Sequence, residues 1–541
     1  MNIVIIIPAR GGSKGIPRKN LRNLGGYPLI YYSIKTALSS KLFPDVFLSS
    51  EDEEICSIAA KYGAMIHKRK PEYASDNTTL DPVIYHAYKY AEQKTGKTYD
   101  IVVTLQPTSP LLTSESLDKA IQNLIDTPSI DTIISAKDDT HLRWKKENNR
   151  FVPDYTKRLN RQYLPPSYCE TGGFFISRAS IITPESRIGI NVDLYLLSEG
   201  EEIDIDTYED WHICKYYLDR KTVLFVLTGY AEVGLGHVYR ALTLANFLTS
   251  YRLVFLVDNK SYLALKKLKE NNYEVYMQQN ANIIEDINDH NPDIIINDIL
   301  DTRIEYMKTL KTSGYRVINF EDLGEGAKHA DAVINALYEP GCKAKNLYSG
   351  YKYFCARDEF LATPIKEISE KVQNVLITFG GTDQCNLTLK VITAIKSYCH
   401  KHNIKITVIL GLGYDKVDTL SEYKDIEIFH DVKSISDHMY KADIIFTSGG
   451  RTVYEAACIG TPVIVLSQNQ RELTHNLVRS DKSLFFAGYG PDLKPDHILH
   501  EFRDLVNNFN RRKEMSRQML SKNLRIGTRR VVKILKRLIE E

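Results

Sequence analysis

The chain has 541 residues, 43% hydrophobic and 26% charged, an ordinary globular balance; at roughly 150 residues per domain it is long enough for three or four. Lys+Arg 70 against Asp+Glu 68 leaves a net charge of +2, which excludes a field that gathers nucleic acid or an anionic membrane surface. Eight cysteines with no C-x-x-C pair and no regular spacing argue against a disulfide framework or zinc site, and for reduced thiols in a cytoplasm.

In chain order, the first apolar run is residues 3–7. A basic loop follows it instead of a small-residue cleavage site, so it reads as a strand and not as a signal peptide. No stretch approaches the ~18 apolar residues of a membrane span. Further runs at 46–49, 101–105 and 132–134 alternate with helical patterns at 28–39, 53–62, 81–94 and 114–125, and "YEDWHICKYYLDRK" closes the series at Lys221. The pattern restarts at 223–227 and continues through 253–257 and 294–296. A third cycle opens at 375–378 and runs through 406–410, 444–446 and 463–466. This alternation predicts an α/β protein with parallel sheets flanked by helices. The basic segment at the end reads as a solvated helix with a packing stripe of Leu520, Leu524, Val532, Ile534 and Leu538. The predicted domains are 1–221, 222–370 and 371–541, the last including that helix.

"PARGGSKGIPRKN" sets Arg10, Lys14, Arg18 and Lys19 among Gly11, Gly12 and Gly15 after the first strand. Glycines let backbone N–H groups approach phosphate oxygens, and the cations neutralise them. The stretch is neither a P-loop nor G-x-G-x-x-G, and alone it also reads as a solvated basic loop. "TLQPTSPLL" (104–112) then offers a burst of hydrogen-bonding groups after a buried strand. "EEIDIDTYED" places Asp204 and Asp206 two apart, so an extended backbone turns both carboxylates to one side, as Mg2+ beside a triphosphate requires.

"IIPARGGSKGIPRKN", "SSEDEEI", "LQPTSPLL", "RQYLPP" and "IDIDTYED", in that order, resemble the CMP-sialic acid synthetase (acylneuraminate cytidylyltransferase) family over about residues 1–221. The resemblance implies a Rossmann-like nucleotidyltransferase domain in which Arg10, Lys19 and Asn20, with Gly12 and Ser13 of the same loop, hold the triphosphate of CTP. It further implies that Gln106, Thr108 and Ser109 contact cytidine or sugar, that Asp204 and Asp206 bind Mg2+, and that Arg69 and Gln162 lie near the substrate. The implied reaction is attack of the C2 hydroxyl of a nonulosonic acid on the α-phosphorus of CTP, with pyrophosphate leaving. Leu112 stands where the family commonly has Arg, and "ETGGFFIS" where it often has Asn-Gly. These departures bear on which acyl sugar is taken.

In the restarted half, "TGYAEVGLGHVYRALTLA" gives a tight strand-to-helix loop with Gly234 and Gly236, and puts His237 at a helix start. The helix dipole there favours a neutral imidazole able to act as a base; the alternative is a histidine that caps or packs the helix. "ITFGGTDQCN" sets Gly380, Gly381 and Thr382 after another strand. "TSGGRTVYEAACIGTPVIVL" repeats the device with Ser448, Gly449, Gly450 and, one turn into the helix, Glu455. Such a helix start receives a diphosphate, and the carboxylate binds ribose hydroxyls. Two such halves facing across a cleft form a glycosyltransferase-B architecture.

With "FEDLGEGAKHADAVIN", "GYKYFCARDEF" and Asn469-Gln470, these motifs resemble the UDP-sugar hydrolase of pseudaminic acid biosynthesis from about residue 223 onward. That resemblance implies that His237 activates water against the sugar C1, with inversion, release of UDP and no cofactor. Gly236, Gly381, Thr382, Ser448, Gly449, Glu455 and Asn469 would line the nucleotide site. This chain departs from the family in having "TGYAEV" where an Arg- or Asp-bearing polar segment often precedes G-x-G-H, and Asp298, in "IIINDILD", is the candidate to supply an acid near the sugar instead. The whole reads as two fused enzymes of nonulosonic acid biosynthesis, joined in the pathway by a separate phosphoenolpyruvate-dependent synthase. A homodimer through the first domain is common in the family it resembles. The rivals are a nucleotide-sugar glycosyltransferase or a non-catalytic binding module in the second half, and a different keto-acid sugar, as in the eight-carbon Kdo family, in the first.

Overall fold

The computed structural model describes residues 1–12, 15–74, 78–230, 233–338, 346–475, 477 and 484–541. They fall into two compact units, Met1–Arg220 and Lys221–Glu541.

The first unit is built on a seven-stranded sheet. Its strands are β1 (Ile3–Pro8), β2 (Asp45–Ser50), β3 (Met65–Lys68), β4 (Ile101–Leu105), β5 (Thr132–Asp138), β6 (Tyr168–Arg178) and β7 (Val192–Leu196), in the order β7-β5-β6-β4-β1-β2-β3. Each apolar run expected in this region lies within one of these strands. The central strands β1 and β4 are buried on both faces, which is why they read as continuous apolar runs without alternation. The sheet is not wholly parallel as the alternation predicts: β6 runs antiparallel to both β4 and β5. Strand β6 is approached through an excursion carrying a small hairpin (Trp144–Glu147 with Arg150–Pro153) instead of a crossover helix, so it enters reversed. Two helices frame the site. Helix α1 (Glu53–Lys61) is capped by Asp52, whose Oδ1 accepts from Glu54 N at 2.9 Å and Ile55 N at 3.0 Å. Helix α2 (Tyr208–Asp219) opens with a capping box formed by Thr207 and Asp210.

The second unit has two lobes. The first holds β8 (Thr222–Leu227), β9 (Arg252–Val257), β10 (Val275–Met277), β11 (Ile294–Asp298), β12 (Arg316–Phe320), β13 (Ala332–Asn335) and β14 (Leu347–Ser349), ordered β10-β9-β8-β11-β12-β13-β14. The second holds β15 (Asn374–Ile377), β16 (Lys405–Leu410), β17 (Glu427–His430), β18 (Ile444–Thr447), β19 (Val463–Ser467) and β20 (Phe485–Tyr489), ordered β17-β16-β15-β18-β19-β20. All these pairings are parallel. Both are doubly wound sheets whose order reverses beside the first strand, between β8 and β11 and between β15 and β18. Ligands of such sheets bind in the crevice beyond that reversal. Helix α3 (Gly236–Ala245) follows β8, and helix α4 (Arg451–Ile459) follows β18.

Helix α5 (Gly527–Glu540) departs from the expectation that it belongs with the second lobe. Its buried residues Val531, Val532, Leu535, Leu538 and Ile539 join the core of the first lobe, against Phe225, Phe255 and Ile318. Its basic residues remain outside, as a solvated amphipathic helix requires. Ile534 of the expected stripe is only half-buried. No helix among the described residues is long and apolar enough to cross a membrane.

Candidate functional site

In the first unit the loops after β1 and β4, adjacent parallel strands, converge with the segment leading into α2. Lys19 ties them together: its Nζ donates to Ile205 O at 2.6 Å and meets Asp206 Oδ1 at 3.2 Å. Ile205 N in turn donates to Thr108 O at 2.8 Å. Asp204 reaches the same place from the other side, because a Cβ on Gly172 would lie 3.3 Å from both Asp204 Oδ2 and Gln106 Nε2. Gly172 has φ +74, so both the positive φ and this approach favour glycine there.

Asp204 Oδ1 and Ser109 Oγ are buried and hold no hydrogen bond of normal geometry among the described residues. Burial pushes the Asp204 carboxyl above its usual range, and the neighbouring Asp206 adds to that. Asp204, with its orphaned buried oxygen, and the exposed Asp206, which meets Lys19, offer two carboxylates to a divalent cation whose remaining positions are phosphate and water. Among the described residues no group of three or more acidic, His or Cys side chains offers a complete protein cage.

Other expected residues shape the loop more than they face a ligand. Asn20 is 7% exposed, and its Nδ2 donates to Arg10 O at 2.8 Å. Arg69 is buried, donating to Ser49 O at 2.7 Å with Glu51 at 3.7 Å, and burial lowers its pKa. Gly11 N donates to Glu51 Oε1 at 2.7 Å, a contact the sequence does not announce. Around Gly12 the space for a Cβ is open. Ser13 lies outside the described residues. Gln162 is exposed on a short turn (Arg161–Tyr163), and no hydrogen bond among the described residues joins it to the loop. The unusual Leu112 is a core residue, packed in the same cluster as Ile5 and Leu105.

In the second unit a cleft of about 640 Å³ lies between the lobes. Gly236, His237, Gly381, Thr382, Ser448, Glu455 and Asn469 all line it, contributed by the loops and helix starts that follow β8, β15, β18 and β19. The two lobes approach closely: a Cβ on Gly381 would lie 3.5 Å from Leu235 N, and one on Gly236 would lie 3.0 Å from Arg451 Cδ.

Asp298 does not line the cleft. It is 2% exposed at the end of β11, with Oδ1 against His237 Nδ1 and Oδ2 accepting from Arg240 Nε at 2.7 Å. Burial would push its carboxyl up, but the Arg240 guanidinium, with His237, holds it down at about 2. Asp298 thus stands behind the histidine and away from the cleft, where the expected acid would have to lie. With Nδ1 engaged, Nε2 is the ring nitrogen left for a ligand. Arg240 NH1 donates to Glu321 Oε1 at 3.1 Å, and Glu321 also accepts from Ala336 N and Leu337 N at 3.1 Å each. Glu321 (φ +50) and Leu300 (φ +71) line the cleft in left-handed conformations, uncommon for residues with side chains and concentrated at functional sites.

Glu455, expected on ribose, is buried and accepts from Arg357 Nε at 3.0 Å through Oε1. Arg471, from the second lobe, grips Asp301 of the first at 3.0 Å through both terminal nitrogens. Glu472 accepts from Gln468 N at 2.7 Å and Gly449 N at 3.2 Å, and burial pushes its carboxyl up to about 7. Of the residues the sequence reading did not single out, Arg240 carried a usable signal, since it stands three positions after His237 on one helix face. Arg451, Arg471 and Glu472 carried none: their partners lie in the other lobe or on a neighbouring loop.

The cytidylyltransferase family model matches residues 4–287. A pseudaminic acid cytidylyltransferase of Campylobacter jejuni is 34% identical over 222 residues, 40% of this chain and 95% of that protein. An uncharacterized protein of Methanocaldococcus jannaschii is 30% identical over 272 residues, 46% of this chain, and the match spans only 56% of that relative's length. A Helicobacter pylori protein named pseudaminic acid cytidylyltransferase and UDP-2,4-diacetamido-2,4,6-trideoxy-beta-L-altropyranose hydrolase is 24% identical over 497 residues, 86% of this chain and 88% of that one.

Proposed function

We propose that this chain, which belongs to the cytidylyltransferase family, joins two enzymes of nonulosonic acid biosynthesis. The first unit forms a CMP-nonulosonate from CTP and an acid of the pseudaminic type. The second hydrolyses a UDP-2,4-diacetamido-2,4,6-trideoxyhexose to the free sugar and UDP. The observation that carries this reading is the alignment of 86% of the chain with a relative whose name joins the two activities.

In the first unit the C2 hydroxyl of the sugar acid attacks the α-phosphorus of CTP, and the bond to pyrophosphate breaks. Arg10 and Lys19 counter the phosphate charge, while the Gly11–Gly12 backbone admits the phosphates closely. Asp204 and Asp206 would hold Mg2+, which supplies charge neutralisation at the phosphates when bound. Gln106, Thr108 and Ser109 orient cytidine or the sugar.

In the second unit His237 Nε2 takes a proton from water as its oxygen bonds to the sugar C1. The C1–O bond to the diphosphate breaks on the opposite face, its electron pair leaving with UDP. Asp298 holds the ring with its proton on Nδ1 and stabilises the imidazolium that forms. The two products are not consecutive: carbons from phosphoenolpyruvate have to be added to the free hexose before cytidylyl transfer, so a separate synthase completes the sequence. Phosphorus NMR of the full chain with the UDP-sugar and no acceptor tests the reading. UDP release is expected from the intact protein and not from His237→Ala; a strict acceptor requirement would make the second unit a transferase.

A further inference from the structure

Four arginines line the interlobe cleft: Arg240, Arg357, Arg451 and Arg471. Three are matched by carboxylates, Arg240 by Asp298 and Glu321, Arg357 by Glu359 and Glu455, and Arg471 by Asp301. Arg451 has no ion pair among the described residues. Its NH2 donates to Cys355 O at 2.7 Å and its guanidinium lies 4.7 Å from the centre of the Phe354 ring, so the side chain is fixed in place. Its NH1 is buried and has no hydrogen-bond partner among the described residues. A buried donor left unsatisfied costs free energy, and a buried cation more so. Burial lowers this guanidinium's pKa, and the nearby Arg240 adds to the effect. Glu455, one helical turn on, and Glu321 partly offset these effects without forming an ion pair with Arg451 among the described residues.

Arg451 is the first residue of α4, whose N-cap Gly450 supplies no side-chain cap, and the first N–H groups of a helix attract anions. Its stem packs beside Gly236, the first residue of α3, which also lacks a side-chain cap. Two uncapped helix starts, one from each lobe, thus meet at one unmatched guanidinium. His237 is the next residue after Gly236, so this position adjoins the proposed reacting carbon.

We propose that Arg451 is a catalytic residue that binds the sugar-linked phosphate of a nucleoside diphosphate sugar, its NH1 donating to the oxygen that leaves from C1. The assignment rests on the proposed hydrolase reading and adds the group that receives the leaving charge. As the C1–O bond breaks, the electron pair passes to that phosphate oxygen, and Arg451 with the N–H groups of α4 stabilises it. The proton from the attacking water goes separately to His237. Arg451 therefore acts on the β-phosphate and not on the nucleoside or the α-phosphate.

Calorimetric titration of the full chain with UDP and with UMP, for the intact protein, Arg451→Met and Arg451→Lys, tests this. Loss of one charge-assisted hydrogen bond is expected to weaken UDP binding about 10- to 100-fold in Arg451→Met, with UMP binding changed by less than about twofold. The turnover number for UDP release is expected to fall as well. Arg451→Lys, which keeps the charge but lacks the fixed fork, is expected to lose UDP affinity selectively too; it carries the comparison should the Met variant fail to fold. Parallel loss of UDP and UMP, or no loss of either, would overturn the role of Arg451. Failure of the intact protein to bind UDP while it still consumes CTP would instead overturn the hydrolase reading beneath it.

Discussion

The His237 imidazole stands on Asp298 through Nδ1, and the carboxylate is held ionised by Arg240. The pair joins a helix start after β8 to the end of β11, adjacent strands at the reversal of the first-lobe sheet. Removing the imidazole in His237→Ala is expected to lower UDP release by about 10²–10⁴-fold, the usual worth of a general base. Asp298→Asn keeps the shape but loses the charge and the tautomer control, and a fall of similar order is expected. Cytidylyl transfer by the same preparations, followed by pyrophosphate release, is expected to remain intact.

Chelation separates the two activities. EDTA is expected to abolish formation of the CMP-sugar and leave UDP release in place; if both stop together, the metal assignment to Asp204 and Asp206 alone is wrong. Asp204→Asn is expected to raise the Mg2+ concentration needed for half-maximal cytidylyl transfer, by at least about tenfold for loss of one of two carboxylate ligands. A magnesium titration of the variant beside the intact protein reads this directly.

Glu472 gives a pH signature to stability. Its folded pKa, about 7, lies above the ordinary glutamate value, so between those values the folded chain holds a proton that the unfolded chain has released. Stability from this group is then present at low pH and is lost as pH rises through about 7, by up to ~3 kcal/mol. Glu472→Gln removes the titration. Its unfolding midpoint relative to the intact protein is therefore expected to rise from pH 5 to pH 8; a difference independent of pH would contradict the buried carboxyl.

Gly527 begins α5 against the first lobe, where a Cβ would fall 2.2 Å from Phe354 O. Backbone cannot yield as a flexible side chain can. Gly527→Ala is expected to destabilise the second unit by about 1–3 kcal/mol, read by its unfolding midpoint.

Much of the fold is legible in the residues because buried parallel strands are apolar without interruption. The runs at 3–7, 101–105, 223–227 and 294–296 need no partner to be recognised. Strand β6 is harder: "ETGGFFIS" mixes polar and apolar residues, and its reversed direction depends on the excursion over residues 139–167 before it. Loop motifs fared similarly. Gly236, His237, Ser448 and Glu455 come to one cleft because each follows a strand at the reversal point of its sheet, a relation local sequence records. Asp298 was visible as a candidate but not as the buried partner of a histidine, since its apparent availability vanishes only when Arg240 folds over it. The grip of Arg471 on Asp301 spans 170 positions, and no local pattern encodes it.

The docking of α5 on the first lobe also dictates an order of events in synthesis. Strand β8 emerges from the ribosome some three hundred residues before Val531 and Leu535, yet the core around Phe225 and Phe255 is finished only by them. Until then the first lobe presents an apolar face with nothing on it, a natural target for a chaperone, while the second lobe is being made. A cut between the lobes near residue 365 would thus yield an N-terminal fragment with an open core and a C-terminal fragment trailing an unmatched amphipathic helix. Adding the two fragments together would be a complementation, with α5 as the piece that recruits one to the other.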